Sequence, residues 1–111
     1  MKYIFILLAI LFFNKVVFAQ KITDDFSGKW KAPKGAIIIV TKVDDGFIGK
    51  TEIEKAVVLK DVKFYNGKWI AVVLNPKADL VANCELILYS TKLKIIAKKG
   101  VFRRTLYWIK Q

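Results

Sequence analysis

The chain has 111 residues, 20 of them basic and 9 acidic, with no histidine and one cysteine. Without histidine there is no Ser-His or Cys-His nucleophile pair, no usual general base and no common zinc site. A single cysteine, Cys84, excludes an intrachain disulfide.

The first segment, MKYIFILLAILFFNKVVFAQ, carries Lys2, an apolar run from Tyr3 to Phe13, and Val17-Phe18-Ala19 before Gln20. That order predicts a signal peptide over residues 1–19, cut after Ala19, and a periplasmic or secreted protein. The apolar run is too short to span a bilayer, so the processed chain is expected not to cross a membrane. Residues 20–111 then form one small domain. Without Lys2 and Lys15 it holds eighteen basic residues against nine acidic, a net charge of +9. Such a balance suits an anionic envelope surface. Nucleic acid is disfavoured: the cations are almost all lysines, scattered singly, whereas nucleic-acid readers rely on arginine and stacking aromatics.

Beyond residue 20, short runs rich in Val, Ile, Phe and Tyr recur about every ten residues, an all-β pattern. The first predicted strand is 27–32, stopped by Pro33-Lys34-Gly35. The second, 36–43, ends at Asp44-Asp45-Gly46, a hairpin signal. The third is 47–54 and the fourth 56–64, followed by Asn66-Gly67, the best type I′ turn signal in the chain. The fifth, 68–74, ends at Asn75-Pro76. The sixth is 80–89, the seventh 92–98 and the eighth 101–110. Eight strands joined by short turns predict an antiparallel up-and-down barrel, because closure removes the two exposed edges.

Alternation assigns the inner faces. Phe47, Gly49, Thr51 and Ile53 share one face of the third strand; Leu80, Ala82, Cys84, Leu86 and Leu88 share one of the sixth. In the eighth, Phe102, Arg104, Leu106 and Trp108 oppose Arg103, Thr105, Tyr107 and Ile109. The only two arginines therefore point opposite ways, Arg104 inward and Arg103 to solvent. A buried guanidinium needs partners, and stacking on an indole would supply one. Strands two, four and five are apolar on both faces, so either the N-terminal segment covers them or they form an apolar patch for a partner.

Gly28-Lys29-Trp30 at the start of an eight-stranded barrel, with an arginine on the last strand, resembles the calycin superfamily of lipocalins and their relatives. That resemblance implies that Trp30 plugs one end of the barrel and that Arg104 packs over it. A closer likeness covers almost all of residues 20–111. The order Gly28-x-Trp30, Asp45-Gly46-Phe47-Ile48-Gly49-Lys50, Trp69, Asn75-Pro76, Cys84-Glu85-Leu86-x-Leu88, Leu93 and Phe102-x-Arg104-Thr105-x-x-Trp108 resembles the bacterial exported family called domain of unknown function 2147. Its implied fold is lipocalin-like. The chain departs from the family pattern at Ile70-Ala71, where paired glycines are usual, at Ala82, where a tyrosine is usual, and across residues 96–100. Gly28, Trp30, Arg104 and Trp108 are thus expected to close the barrel.

No catalytic, cofactor-binding or metal-binding residue emerges. Asp44-Asp45 belongs to a turn, Glu52 and Glu54 to the polar face of a strand, and Asp24-Asp25 lacks further calcium ligands. No phosphate loop or dinucleotide fingerprint occurs. The expectation is a non-enzymatic binding module for a small apolar or envelope-derived ligand. The alternative is a structural or interaction protein of the envelope, acting through an apolar strand face and a basic surface. Eight strands leave an interior that is either just filled or able to hold one small ligand.

Overall fold

In the computed structural model, which describes residues 20–111, eight antiparallel strands follow one another around a closed barrel. They are β1 Gly28–Lys31, β2 Ile37–Val43, β3 Gly46–Thr51, β4 Val57–Tyr65, β5 Lys68–Asn75, β6 Leu80–Leu88, β7 Lys92–Lys99 and β8 Phe102–Lys110. The expected fold class, an all-β, eight-stranded antiparallel up-and-down barrel, is the observed one. The signal-peptide reading falls on residues 1–19 and lies outside the described residues.

Up-and-down order sorts the connections. The turns after β2, β4 and β6 lie at one end, with the start of β1 and the finish of β8. The turns after β1, β3, β5 and β7 lie at the other. The first is called here the capped end and the second the bare end.

The interior is built from alternate residues, as alternation demands. Trp30, Val40, Phe47, Leu59, Trp69, Leu86, Leu93, Ile95 and Trp108 are all buried and belong to one continuous core. Trp69 faces Leu86, Leu86 faces Ile95, and Leu93 faces Trp108 across adjacent strands. Fully burying each such side chain contributes about 1.5–3 kcal/mol. Bulky side chains from β1 to β8 occupy the interior.

Three local features depart from the sequence expectation. β3 ends at Thr51, not Glu54, because the chain turns back on itself there. Lys55 N–H donates to Thr51 O at 3.0 Å, and Ala56 N–H donates to Thr51 Oγ1 at 3.0 Å. Lys55 takes a left-handed φ of 60° to make that turn. Ile53, expected on the inner face, therefore sits in a turn with 91% of its surface exposed. The second departure is a bulge in β4. Lys60 pairs with Val72 and Lys63 with Ile70, so Asp61 and Val62 together oppose Ala71. Asp61 takes φ 52°, and the extra residue turns Val62 inward. The third is the seam. β1 meets β8 only at Trp30↔Lys110 and Lys31↔Ile109, with Gln111 N–H adding a bond to Lys29 O at 3.0 Å.

Candidate functional site

The four residues expected to close the barrel separate in the structure. Trp30 and Trp108 are buried inside it. Trp30 pairs with Lys110 and Ile38, and its indole N–H donates to Phe26 O at 2.9 Å. Gly28 pairs with Val40 and takes φ 134°, open to glycine and strained for any other residue. Arg104 does not join them. It lies on the inward parity of β8, opposite Ala97, yet its side chain is exposed. The reason is the short seam. Trp30 pairs six residues further along β8, roughly 20 Å of strand away, and β1 does not run beside Arg104 at all. The clamp of Arg104 over Trp30 is therefore absent, and both arginines are exposed.

The capped end is built by residues 20–27. Phe26 is fully buried and meets Phe47 and Trp69 edge-on, with ring centroids at 5.3 and 5.1 Å. Phe64 adds a fourth ring against Trp69 at 5.4 Å. Edge-to-face geometry of this kind contributes about 0.5–1.5 kcal/mol per pair beyond burial. The strap is fixed by hydrogen bonds. Trp69 Nε1–H donates to Lys21 O at 2.7 Å, Trp69 N–H donates to Gln20 Oε1, and Gln20 Nε2–H donates to Glu85 Oε2 at 2.5 Å. Ser27 donates both its hydroxyl, at 2.6 Å, and its N–H, at 2.9 Å, to Asp25 Oδ1. Those two bonds hold the Asp25 carboxyl below the usual carboxylate range. Beside the strap lies an open cleft of about 610 Å³, with Phe47, Phe64 and Trp69 at its floor and Asp25, Asp44 and Asp45 at its lip.

Among the described residues no strap crosses the bare end. Its β7–β8 hairpin reads Lys98-Lys99-Gly100-Val101-Phe102-Arg103-Arg104, and all seven residues are exposed. Val101 is 95% exposed and Phe102 80%. Leu80 and Val81, which start β6 at this end, are also exposed. Among the described residues, neither arginine forms an ion pair; the two pairs present are Lys29–Glu52 and Lys68–Glu85.

The strands that read as apolar on both faces contribute to a shallow outer groove of about 1080 Å³, where Ile48, Ile70 and Val72 are half-buried among Lys60, Lys63 and Glu85. The strap crosses the barrel's end and meets this face at the Gln20–Glu85 hydrogen bond. Cys84 is buried beside Ala71 and Ala97, and burial pushes its thiol up to about 12. Its thiolate, the reactive form, is thereby suppressed. Among the described residues no group of three or more Cys, Asp or Glu is placed to hold a metal ion.

The bare tip was readable in part. Two lysines, a glycine, two apolar residues and two arginines signal a hairpin turn, but inward parity alone concealed that Phe102 and Arg104 lie beyond the packed interior. Comparisons with protein-family models, curated proteins and solved structures find no match to this chain.

Proposed function

We propose that this is an exported, non-catalytic interaction protein that works through its outside rather than through a ligand held in the barrel. One observation carries the reading: the three most exposed large apolar side chains, Ile53, Val101 and Phe102, lie at or beside turns of one end, while the interior is occupied by the protein's own side chains. Exposed apolar side chains rimmed by polar ones are the usual mark of a contact surface. Kinship with the exported family called domain of unknown function 2147 is part of the same proposal, supported by the Gly28-x-Trp30 and Phe102-x-Arg104-Thr105-x-x-Trp108 motifs.

The test is retention. Protein washed from envelope fractions at rising salt is expected to leave them progressively, because an excess of cations favours an anionic surface. A monomer that stays fully soluble beside the envelope at low salt overturns the reading.

The capped-end cleft supports a second reading, a small apolar or envelope-derived ligand bound at the mouth. Its volume of about 610 Å³ lies in the range of small-molecule sites, and three aromatic rings line it. Titration with fatty acids and an apolar dye separates the two. A saturable change in Trp69 emission supports the ligand; unchanged emission at saturating dye removes it.

A further inference from the structure

We infer that the β7–β8 hairpin tip is a docking element for an anionic lipid bilayer. The inference rests on the surface-acting reading above and names its partner. The tip sets Val101 and Phe102 at the outermost turn, with Lys98 and Lys99 on one strand and Arg103 and Arg104 on the other. No carboxylate lies within these seven residues. Leu80 and Val81, also exposed, begin β6 at the same end of the barrel.

The chemistry fits one occupant. A protein partner with an apolar pocket would take Phe102 and Val101 but has no need of four flanking cations. A soluble polyanion would take the cations but leave the phenyl ring in water. A bilayer surface takes both at once: the ring and the Val101 side chain enter the headgroup boundary, and the cations lie at the phosphate level. Parity helps. Arg103 and Arg104 point to opposite faces of β8, so the hairpin presents charge on both sides of the apolar tip. Both are arginines, whose forked donors meet phosphate oxygens two at a time.

The experiment uses the chain as the cell processes it, with its N-terminus read by mass spectrometry, so that every variant shares the same start. Co-sedimentation is measured with vesicles of phosphatidylcholine alone and with vesicles containing phosphatidylglycerol. Binding is expected only to the second kind and is expected to fall steeply with salt. Each cation near such a surface is worth roughly fivefold in partitioning, so Arg103→Gln with Arg104→Gln weakens binding about 25-fold. Phe102→Ser with Val101→Ser is expected to weaken it about tenfold or more. These side chains are exposed, so the variants should melt with the wild type. Phe102→Trp supplies a direct reading: its emission shifts to the blue on phosphatidylglycerol vesicles and is quenched by brominated acyl chains. Trp30, Trp69 and Trp108 are buried and should not respond.

Binding that the four substitutions leave unchanged overturns the assignment. So does a Phe102→Trp variant whose added indole still emits as in water when the protein is bound to vesicles. Retention by envelope fractions without any binding to phosphatidylglycerol vesicles ends the lipid reading and spares the broader one. Self-association that depends on Phe102, without vesicle binding, assigns the tip to a second copy of the chain and likewise overturns the inference.

Discussion

The two ends of this barrel use the same residue types for opposite purposes. At the capped end, Phe26 leaves the chain before β1, turns into the barrel and loses all its exposure against Phe47 and Trp69. At the bare end, Phe102 starts β8, has the correct parity to turn inward, and stays in solvent. What separates them is backbone. Residues 20–27 lie across the capped end and bond to the indole of Trp69, whereas no comparable segment crosses the bare end among the described residues. An aromatic side chain is buried only where a second layer of chain exists to bury it.

The sharpest way to break that comparison is one substitution made twice. Phe26→Ala removes a fully buried ring and should cost about 3–5 kcal/mol, a fall in Tm of more than about 10 °C for a domain of this size. Phe102→Ala should change stability by no more than about 0.5 kcal/mol, as surface substitutions generally do. Thermal unfolding followed by circular dichroism gives both. Similar losses at the two ends would mean that Phe102 is packed and that the bare end is closed.

A second variant tests how the capped end is shaped. The β4 bulge at Asp61 brings the Val62 carbonyl over Gly46, where an added Cβ would lie only 2.2 Å from the oxygen. Backbone cannot give way as a flexible side chain can. Gly46→Ala is therefore expected to cost about 1–3 kcal/mol, read as a lower urea midpoint at an unchanged slope. A midpoint equal to wild type would show that the bulge is not held where the structure has it.

Gly46 also marks where the sequence was legible and where it was not. Period-two alternation and turn residues located all eight strands to within a few residues, because both signals are local. They assigned Gly46 to the hairpin turn; its close approach to Val62 depends on a bulge in another strand. The bulge has no local signature beyond Asp61 itself. Alternation placed Trp108 and Arg104 on the same inward face, but only Trp108 is buried, since parity fixes direction and says nothing about whether a wall stands opposite. The wall is missing because β1 has only four residues, beginning at Gly28 and ending at Lys31. Phe26 was overlooked for the converse reason: it lies outside any strand and is buried by the strap's path alone.

The strap's own anchor offers a smaller effect with a defined pH window. Asp25 accepts two bonds from Ser27, and its carboxyl is held low in the fold. A lowered folded value means that the contribution is present above the unfolded value near 3.9 and is lost as pH falls through the folded one. Asp25→Asn keeps an acceptor and removes the charge. Wild type should exceed the variant at pH 7 by no more than a few tenths of a kcal/mol, because the carboxylate is exposed and screened. The difference should close as the pH is lowered below about 4. A gap that persists at about pH 3 would place the effect in geometry rather than in charge.

The smallest expected effect concerns the adjacent arginines. Had Arg104 been folded over Trp30, Arg104→Lys would lose a stacked, multiply bonded guanidinium that lysine cannot imitate, while Arg103→Lys would lose nothing. The structure gives the two side chains the same environment: both exposed, without an ion pair among the described residues, on either side of an open strand. Each Lys variant should therefore melt within about 0.5 kcal/mol of wild type and of the other. Paired melts at matched salt decide it. A loss confined to Arg104→Lys would restore the inward clamp and require the bare end to fold over its last strand. Equal melts, together with weakened vesicle binding when both arginines become glutamine, would assign the pair to recognition and leave barrel closure to the register of Trp30 with Lys110.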